Sequence, residues 1–298
     1  MRFISVTFST VITLLRRYYR TYIHSPALDR CIYAVLDLLT DLLARVKGFS
    51  FPKNYIRRWK LNMLWGLYEA ETYALFRKIL RPEMVVVDIG AHIGYFTRLF
   101  ARCVGPHGRV YAFEADPVNF ALLTHNTKGL QTVRLCELAV TDKKGMVDFY
   151  HYDDKSGAHS TLPNVPLNYT KRKLAVPATD LDSWLTENGV TGVEVIKMDI
   201  EGGESAALRG MKATLESARV LVTECAPAWI EAAGGSTLSF LKTIESHGFE
   251  IFAVTQRGLI RLSPVHDGCF ASLLPKPKDG SHQSEFINLY CVKDPDLH

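Results

Sequence analysis

The sequence predicts an α/β fold in which a mostly parallel sheet is covered by helices on both of its faces. Two observations carry this prediction. From about residue 60 to the end of the 298-residue chain, strand patterns alternate with helix patterns at the spacing of βαβ units. Near the C-terminus two strand patterns, at 249–254 and 286–292, follow one another. This succession indicates that one strand is inserted antiparallel.

The first half of the pattern is a helix, a strand, a helix, a strand and a helix, predicted at 61–80, 84–88, 94–104, 109–115 and 117–129. The first helix ends before Pro82, and Gly105 ends the second. Asp116 is the predicted cap of the third helix, with Pro117 at its first position. Proline is favoured there because its missing N–H is not needed in the first turn.

The second half continues with strands at 132–140, 145–152, 193–200, 219–225, 249–254 and 286–292, and with helices at 204–217 and 236–248. The segment 150–176 fits neither periodicity and is rich in Ser, Pro, Asn and Lys. We predict that it is a long loop over a site.

Charge divides the chain into two predicted regions, a basic helical extension over 1–60 and a domain over 61–298. The extension holds eleven lysines and arginines against three aspartates, a balance of +8, whereas the whole chain is at +4. The remainder is therefore at −4. A basic head on a mildly acidic body favours an anionic partner surface.

The extension also contains apolar segments. The stretch 3–15 is uncharged, but it is too short to span a bilayer and lacks a cleavage site for a secretory signal. The stretch 31–46 places apolar side chains on one helical face, at Ile32, Val35, Leu36, Leu39, Leu42, Leu43 and Val46. This face predicts peripheral contact with the inner face of a membrane, or else packing on the core or in a homo-oligomer.

Six cysteines are scattered without a C-x-x-C pair, which implies neither a zinc site nor a disulfide framework. We therefore expect a reducing, cytoplasmic compartment.

The turn after the first strand, "VVVDIGAHIGYFT", has the form D-x-G-x-x-x-G, with Asp88, Gly90 and Gly94. It lacks the closely spaced glycines with which a dinucleotide-binding turn approaches a pyrophosphate. Glu114 ends the second strand, where an acid can accept both hydroxyls of a ribose. A ribose together with a positive charge, held by acids, fits S-adenosylmethionine. Asp142 follows the third strand, either as a polar contact for an adenine amine or as part of an ordinary turn.

A second acidic group lies in "IKMDIEGGE", where Asp199 ends a strand and Glu201 and Glu204 follow. The carboxyl ends of parallel strands meet at the ligand crevice of such a sheet, so these carboxylates should face the methyl donor. Neighbouring carboxylates raise one another's pKa, as a base for a hydroxyl proton requires. Glu204 also has a structural explanation, since an acid in the first turn of a helix is favoured.

The motifs "MLWGLYEAET", "VVVDIGAHIGYFT", "VYAFEADPVNFALLTHN", "LAVTDKKG", "ATDLDSW" and "VIKMDIEGGESAALRGM", in this order, resemble the FkbM-type family of S-adenosylmethionine-dependent methyltransferases over residues 62–255. The resemblance implies a class I Rossmann-like methyltransferase with a mostly parallel seven-stranded sheet, one antiparallel strand and helices on both faces. It also implies O-methylation of a sugar, glycolipid or polyketide-like hydroxyl. His92 departs from the asparagine that members often carry.

Ten residues are predicted to bind the cofactor, and they come from the glycine turn, the end of the second strand and two flanking segments: Glu69, Asp88, Gly90, Ala91, His92, Gly94, Tyr95, Glu114, Ala115 and Asp142. The predicted catalytic residues are Asp199 and Glu201, with His159 as an alternative base from the loop. A magnesium ion held by Asp199, Glu201 and Glu224 is a further alternative that the spacing does not favour.

Two rival functions stay open. A nucleic-acid amine methyltransferase would fit the basic head, but the turn after the fourth strand reads Asp-Ile-Glu-Gly and not Asn-Pro-Pro-Tyr. A non-catalytic cofactor-binding scaffold would need no carboxylates at two strand ends.

Overall fold

The computed structural model describes residues 25–53, 55–152, 159–163, 170–266, 268–270, 273 and 286–294. The chain divides into two compact units, with the boundary between Phe49 and Ser50. The predicted segment 3–15 and the arginines that precede residue 25 lie outside the described residues.

The first unit contains one described helix, Pro26–Val46, whose N-cap Ser25 accepts a hydrogen bond from the Leu28 N–H. The predicted apolar face of this helix is largely exposed, from 40% at Ile32 to 78% at Val46. Among the described residues, no helix combines the length and the apolar character needed to cross a membrane.

The second unit contains the remaining described elements. Its helices are Arg57–Trp65, Ala70–Ile79, Tyr95–Val104, Pro117–Asn126, Leu181–Glu187, Glu204–Arg209, Lys212–Ser217, Pro227–Ala232 and Thr237–Ser246. Its strands are β1 Val85–Ile89, β2 Arg109–Phe113, β3 Val133–Cys136, β4 Ala139–Val140, β5 Gly145–Tyr152, β6 Lys171–Thr179, β7 Val193–Met198, β8 Val220–Cys225, β9 Glu250–Thr255, β10 Gly258–Arg261 and β11 Ile287–Val292.

The main sheet has the strand order β10-β9-β11-β8-β7-β1-β2-β3. Strands β8, β7, β1, β2 and β3 pair in parallel, and β11 lies antiparallel between β8 and β9. The predicted α/β class and the antiparallel strand are therefore confirmed. The sheet has eight strands and not seven, because the chain turns back after β9 and adds β10 at the edge. The Thr255 hydroxyl closes that turn by donating to the Gly258 carbonyl at 2.7 Å.

A second sheet pairs β4 with β6 and β6 with β5. It shows that the predicted loop over 150–176 is wrong at both ends, since β5 runs to Tyr152 and β6 begins at Lys171. The misleading signal was the start of β6, where the exposed Lys171, Arg172 and Lys173 give a strand the composition of a loop.

Two predicted helices are each broken by a glycine. The helix expected over 61–80 divides at Gly66, which has φ +70°, and the helix over 204–217 divides at Gly210. A Cβ on Gly210 would lie 2.0 Å from the Thr141 carbonyl oxygen, so the chain must pass that strand end without a side chain.

The helix after β1 is buried on most of its surface and fixes the glycine turn in place. Phe96 and Phe100 pack on Phe76 of the preceding helix, with ring centroids 5.5 and 4.6 Å apart. Burying each of these phenylalanines contributes about 2 to 3 kcal/mol. The segment around Glu69, which leads into the helix of Phe76, is thereby held beside the carboxyl ends of the central strands.

Candidate active site

The glycine turn that is predicted to hold the methyl donor, here called the donor turn, lies at the carboxyl end of β1. Asp88 is fully buried there, and the Thr97 hydroxyl donates to its Oδ2 at 2.6 Å. The Lys197 ammonium lies 3.7 Å from its Oδ1. Burial raises the pKa of Asp88, and Lys197 and Thr97 act against that rise. Asp88 is therefore placed inside the strand end, where it anchors the helix after the turn.

Gly90 and Gly94 both have positive φ, at +76° and +87°, where L side chains are strained. The N–H groups of Gly90 and Ala91 both donate to the Phe113 carbonyl, at 3.0 and 2.9 Å, which joins the turn to the end of β2. His92 has φ +52°, a region that His and Asn enter more often than most residues. Histidine thus keeps a backbone shape that asparagine also adopts readily.

Glu114, directly after β2, is buried beside this turn. Its Oε2 accepts from the His92 N–H at 2.7 Å, and its Oε1 accepts from the Asp116 N–H at 2.9 Å. Burial raises the pKa of Glu114 to about 7, and the two backbone hydrogen bonds oppose the rise. A carboxylate oxygen has two acceptor sites, so each oxygen can still accept a ribose hydroxyl. The free acceptor positions of Glu114 therefore fit the two hydroxyls of the ribose of S-adenosylmethionine.

The loop after β7 comes into direct contact with the glycine turn. The Asp199 N–H donates to the Ile89 carbonyl at 3.0 Å, and a Cβ on Gly90 would lie only 1.8 Å from the Asp199 carbonyl oxygen. Carboxylate oxygens of Asp199, Glu201 and Glu224 lie within 4.8 Å of one another. The structure thus brings the predicted acids of β7 and β8 together beside the donor turn.

Burial and mutual repulsion act on these acids. Burial, followed by the charges of Asp199 and Glu204, raises the pKa of Glu201 well above its usual range. Burial also raises the pKa of Glu224, with the charge of Glu201 as the next cause. The three carboxylates offer the oxygen ligands that magnesium prefers, and a carboxylate in this position can also accept a proton from a bound hydroxyl.

Glu204 has a different role from its neighbours. Its two oxygens accept from the Ile200 and Gly202 N–H groups, at 2.9 and 2.8 Å, so it fixes the backbone of the loop after β7. The Ser160 hydroxyl donates to the Glu201 carbonyl at 2.6 Å and holds the other side of the loop. Sequence reasoning did not identify Ser160, because its partner is 41 residues away.

Glu69 joins the acids from the other side. Burial raises its pKa to about 7, with the charge of Asp199 as the next cause, while the Asn288 amide donates to its Oε2 at 2.8 Å. The half-buried Tyr68 precedes it, and the Tyr95 hydroxyl donates to the Tyr68 carbonyl at 3.0 Å. Asn288, on β11, was not predicted, since nothing local in "FINLYCV" distinguishes it from a residue of an ordinary strand.

Lys197 is a central residue of the site to which the sequence motif assigned no role. It is 6% exposed on β7 and donates to the Gly90 carbonyl at 2.9 Å. Its ammonium also lies 3.4 Å from Asp199 Oδ2. The available signal was a lysine inside the apolar run "VEVIKM", because lysine is almost never buried unless it is paired.

His159 is placed in a second buried group. Its Nε2 lies 3.9 Å from Asp116 Oδ2, its ring stacks on His151 with centroids 4.2 Å apart, and its Nδ1 accepts from the Tyr152 N–H at 3.0 Å. His151 also bonds to Asp116 Oδ2. These contacts attach β5 and the following segment to the end of β2, and they give His159 a neighbourhood different from that of Asp199.

Ala115 and Asp142 are the remaining residues that were predicted to bind the cofactor. Ala115 is partly buried against the small second sheet. Asp142 follows β4 and accepts from Arg209 Nη2 at 2.9 Å, a hydrogen bond that lowers its pKa. The ring of Tyr55 lies 6.4 Å from that of His92, so an aromatic residue ahead of the first helix of this unit reaches the turn.

A buried acid after β2, a glycine turn after β1 and a carboxylate loop after β7 lie at one edge of this sheet, as expected of a class I S-adenosylmethionine-dependent methyltransferase. The sequence profile of the Methyltransferase FkbM domain matches residues 88–251. The chain therefore belongs to the FkbM family of methyltransferases.

Several characterised proteins are similar to this chain. The 2-O-methyltransferase NoeI of Sinorhizobium fredii is 31% identical, with 48% of this chain and 64% of NoeI covered. The 31-O-demethyl-FK506 methyltransferase FkbM of Streptomyces tacrolimicus is 30% identical, with 58% and 75% covered. The hexuronic acid methyltransferase AglP of Haloferax volcanii is 24% identical, with 62% and 74% covered. The chain thus spans slightly less than two thirds of NoeI.

Among solved structures, a methyltransferase FkbM from Methylobacillus flagellatus aligns with a TM-score of 0.43 and 15% identity. The alignment covers 85% of this chain and 58% of that one.

Proposed function

We propose that this protein transfers a methyl group from S-adenosylmethionine to a hydroxyl of a sugar, a glycolipid or a polyketide-like small molecule. The observation that carries the proposal is the contact between the glycine turn and the carboxylate loop, in which Gly90 leaves no room for a side chain against the Asp199 carbonyl. A donor held on the first and an acceptor held on the second are brought into reach of each other. Three relatives support this choice of acceptor: one is named a 2-O-methyltransferase, one is named for a 31-O-demethyl compound and one for a hexuronic acid.

When bound, S-adenosylmethionine supplies a methyl group on a positively charged sulfur. The sulfur keeps the electron pair of the broken bond, and the leaving group is S-adenosylhomocysteine. The residues of the chain have to align the acceptor oxygen with that bond and remove its proton. Asp199 or Glu201 takes the hydroxyl proton, with Glu224 and Glu69 beside them. The cofactor is held by Glu114 and by the backbone of the glycine turn.

The test is an acceptor screen with methyl-labelled cofactor, beginning with free sugars, uronic acids and glycolipids. Asp199→Asn should reduce methyl transfer by about 100-fold or more. Glu187→Gln is the matched control, because this exposed acid bonds to Lys144 on the surface. Full activity in both Asp199→Asn and Glu201→Gln would contradict the proposed base.

We further propose that the N-terminal extension, residues 1–60, makes peripheral contact with the inner, anionic face of a membrane. The exposed apolar face of the helix Pro26–Val46 and the basic residues of the extension support this. Deleting residues 1–49 should abolish binding to anionic liposomes and leave cofactor affinity unchanged. Liposome binding that survives the deletion would refute the contact.

A further inference from the structure

A single buried lysine connects the two loops that meet at the site. Lys197 lies on β7 between the strand end of β1 and the loop that begins at Asp199. It is 6% exposed, and its ammonium lies beside Gly90, Asp88 and Asp199. Because a buried ammonium is costly without partners, each of these contacts matters to the position of the side chain.

On the donor side, Lys197 donates to the Gly90 carbonyl at 2.9 Å, the shortest of these three contacts. The Gly90 peptide belongs to the turn whose neighbouring N–H groups bond to Phe113 and Glu114. Asp88, 3.7 Å from the ammonium, is fixed in turn by the Thr97 hydroxyl. The lysine therefore holds the turn through the Gly90 carbonyl and through Asp88 on β1, the strand that leads into the turn.

On the acceptor side, the ammonium lies 3.4 Å from Asp199 Oδ2. The backbones of the two loops already touch, since the Asp199 carbonyl fills the space of a Gly90 side chain. The lysine adds an ionic link across the same contact. A shift of the turn would thus move Asp199, and a shift of Asp199 would move the turn.

The charge of Lys197 is stable in this place. Burial acts to lower its pKa, but the charges of Asp199 and Asp88 raise it above its usual value. In return, the ammonium acts to lower the pKa of Glu69 and of Glu201, both of which burial raises. One permanent positive charge thus counters part of the repulsion among the carboxylates.

We propose that Lys197 is a positioning residue of methyl transfer, which holds the donor turn against the carboxylate loop. The inference rests on the proposed function in one respect only, which is that the carboxylate loop holds the hydroxyl that receives the methyl group. The effect on cofactor binding and on the ionisation of the site can be measured without knowing the acceptor.

Lys197→Met keeps most of the volume and removes the charge, whereas Lys197→Arg keeps the charge. Lys293→Met is a matched control, because Lys293 also donates to backbone carbonyls, those of Leu215 and Glu216 at 2.6 Å. It lies over the ring of Phe249, as Lys197 lies over the ring of Phe96. Lys293 follows Val292, which pairs with Val220 at the start of β8, so it sits at the opposite end of the sheet from the site.

The first measurement is calorimetric titration of S-adenosylmethionine near pH 6 and near pH 8. Lys197→Met should bind about tenfold more weakly near pH 8, Lys197→Arg should recover most of that loss, and Lys293→Met should stay within about twofold of the wild type. Cofactor affinity in Lys197→Met within twofold of the wild type at both pH values would overturn the proposal.

The second measurement is the unfolding midpoint between about pH 4 and about pH 8 without cofactor. Asp88 loses its cation in Lys197→Met, so its pKa rises further, and an acid with a raised folded pKa contributes stability at low pH that is lost as the pH rises through that pKa. The loss of midpoint should therefore be smallest near the unfolded pKa of an aspartate and grow as the pH rises, whereas a packing defect would give the same loss at every pH. An equal loss at every pH would also overturn the proposal.

If Lys197→Met yields no folded protein, the double variant Asp88→Asn/Lys197→Met is used, because it also removes the Asp88 carboxylate that has lost its cation. Both measurements are then made on the double variant, with Asp88→Asn as its reference. In that pair the pH-dependent loss should shrink, because the carboxylate of Asp88 is absent from both proteins, and cofactor binding should still weaken. Equal cofactor affinity in the pair would refute the link. Failure of the wild type to bind cofactor would count against the proposed function, while the pH dependence of unfolding would still decide the role of Lys197.

Discussion

Cofactor binding should depend on pH through Glu114. In the protein without cofactor, burial raises the pKa of this group to about 7. A ribose hydroxyl donates to the ionised carboxylate, so only the ionised fraction is competent to bind. That fraction is about one half at pH 7 and about one tenth at pH 6, which predicts an affinity near pH 6 that is about tenfold weaker than the affinity near pH 8.

Glu114→Gln should remove this dependence and lower the affinity at every pH. The two oxygens accept from different backbone N–H groups, those of His92 and Asp116. A glutamine amide has one oxygen, so its NH₂ group must face the other backbone donor. Leaving that donor unsatisfied costs about 1 to 3 kcal/mol, which corresponds to a loss of about 5- to 150-fold if the turn shifts to relieve it.

Calorimetric titration of S-adenosylmethionine at several values between pH 6 and pH 8 measures both effects, with Glu187→Gln as the surface control. Glu69 also has a pKa of about 7 and contributes its own dependence. The variant therefore separates the two acids. An affinity that is flat with pH in the wild type, or an unchanged pH dependence in Glu114→Gln, would refute the reasoning.

Gly90→Ala should abolish cofactor binding and lower the unfolding midpoint, because the new Cβ would lie 1.8 Å from the Asp199 carbonyl oxygen. Gly129→Ala is its control, since Gly129 shares the positive φ but has nothing within 4 Å of the added carbon, and it should cost only about 1 kcal/mol of stability. Magnesium should change cofactor affinity by less than about twofold, because Lys197 already supplies a positive charge beside Asp199. Tightening of tenfold or more, lost in Glu224→Gln, would show instead that the three clustered carboxylates hold the ion.

The sequence was most informative where local chemistry decides the structure. The Asp116 side chain accepts from the Val118 and Asn119 N–H groups and caps the helix that begins at Pro117, as predicted. The strand, glycine turn and helix around Gly90 were also predicted, since φ values of this kind and buried strands both leave local signals. These elements suffice to place the donor turn.

The parts that could not be predicted depend on partners far away in the sequence. Lys197 reaches Gly90 across 107 residues, and Asn288 reaches Glu69 across 219. Neither pairing has a local pattern, because each depends on how the fold brings distant segments together at the end of the sheet. The roles of Ser160 and of the Asp116 and His159 pair were inaccessible for the same reason.

The backbone itself indicates that stability has been given up for positioning at this site. Of the four non-glycine residues with positive φ in the described part of the chain, Glu69, His92 and Glu201 lie at the site. Strained residues of this kind cost about 1 kcal/mol or more each and persist only where other contacts fix them. Here each is fixed: the Asn288 amide holds Glu69, Glu114 accepts from the His92 N–H, and the Ser160 hydroxyl holds the Glu201 carbonyl. Strain at three points facing one contact between loops is the pattern expected of a site in which geometry, more than any single group, speeds the transfer.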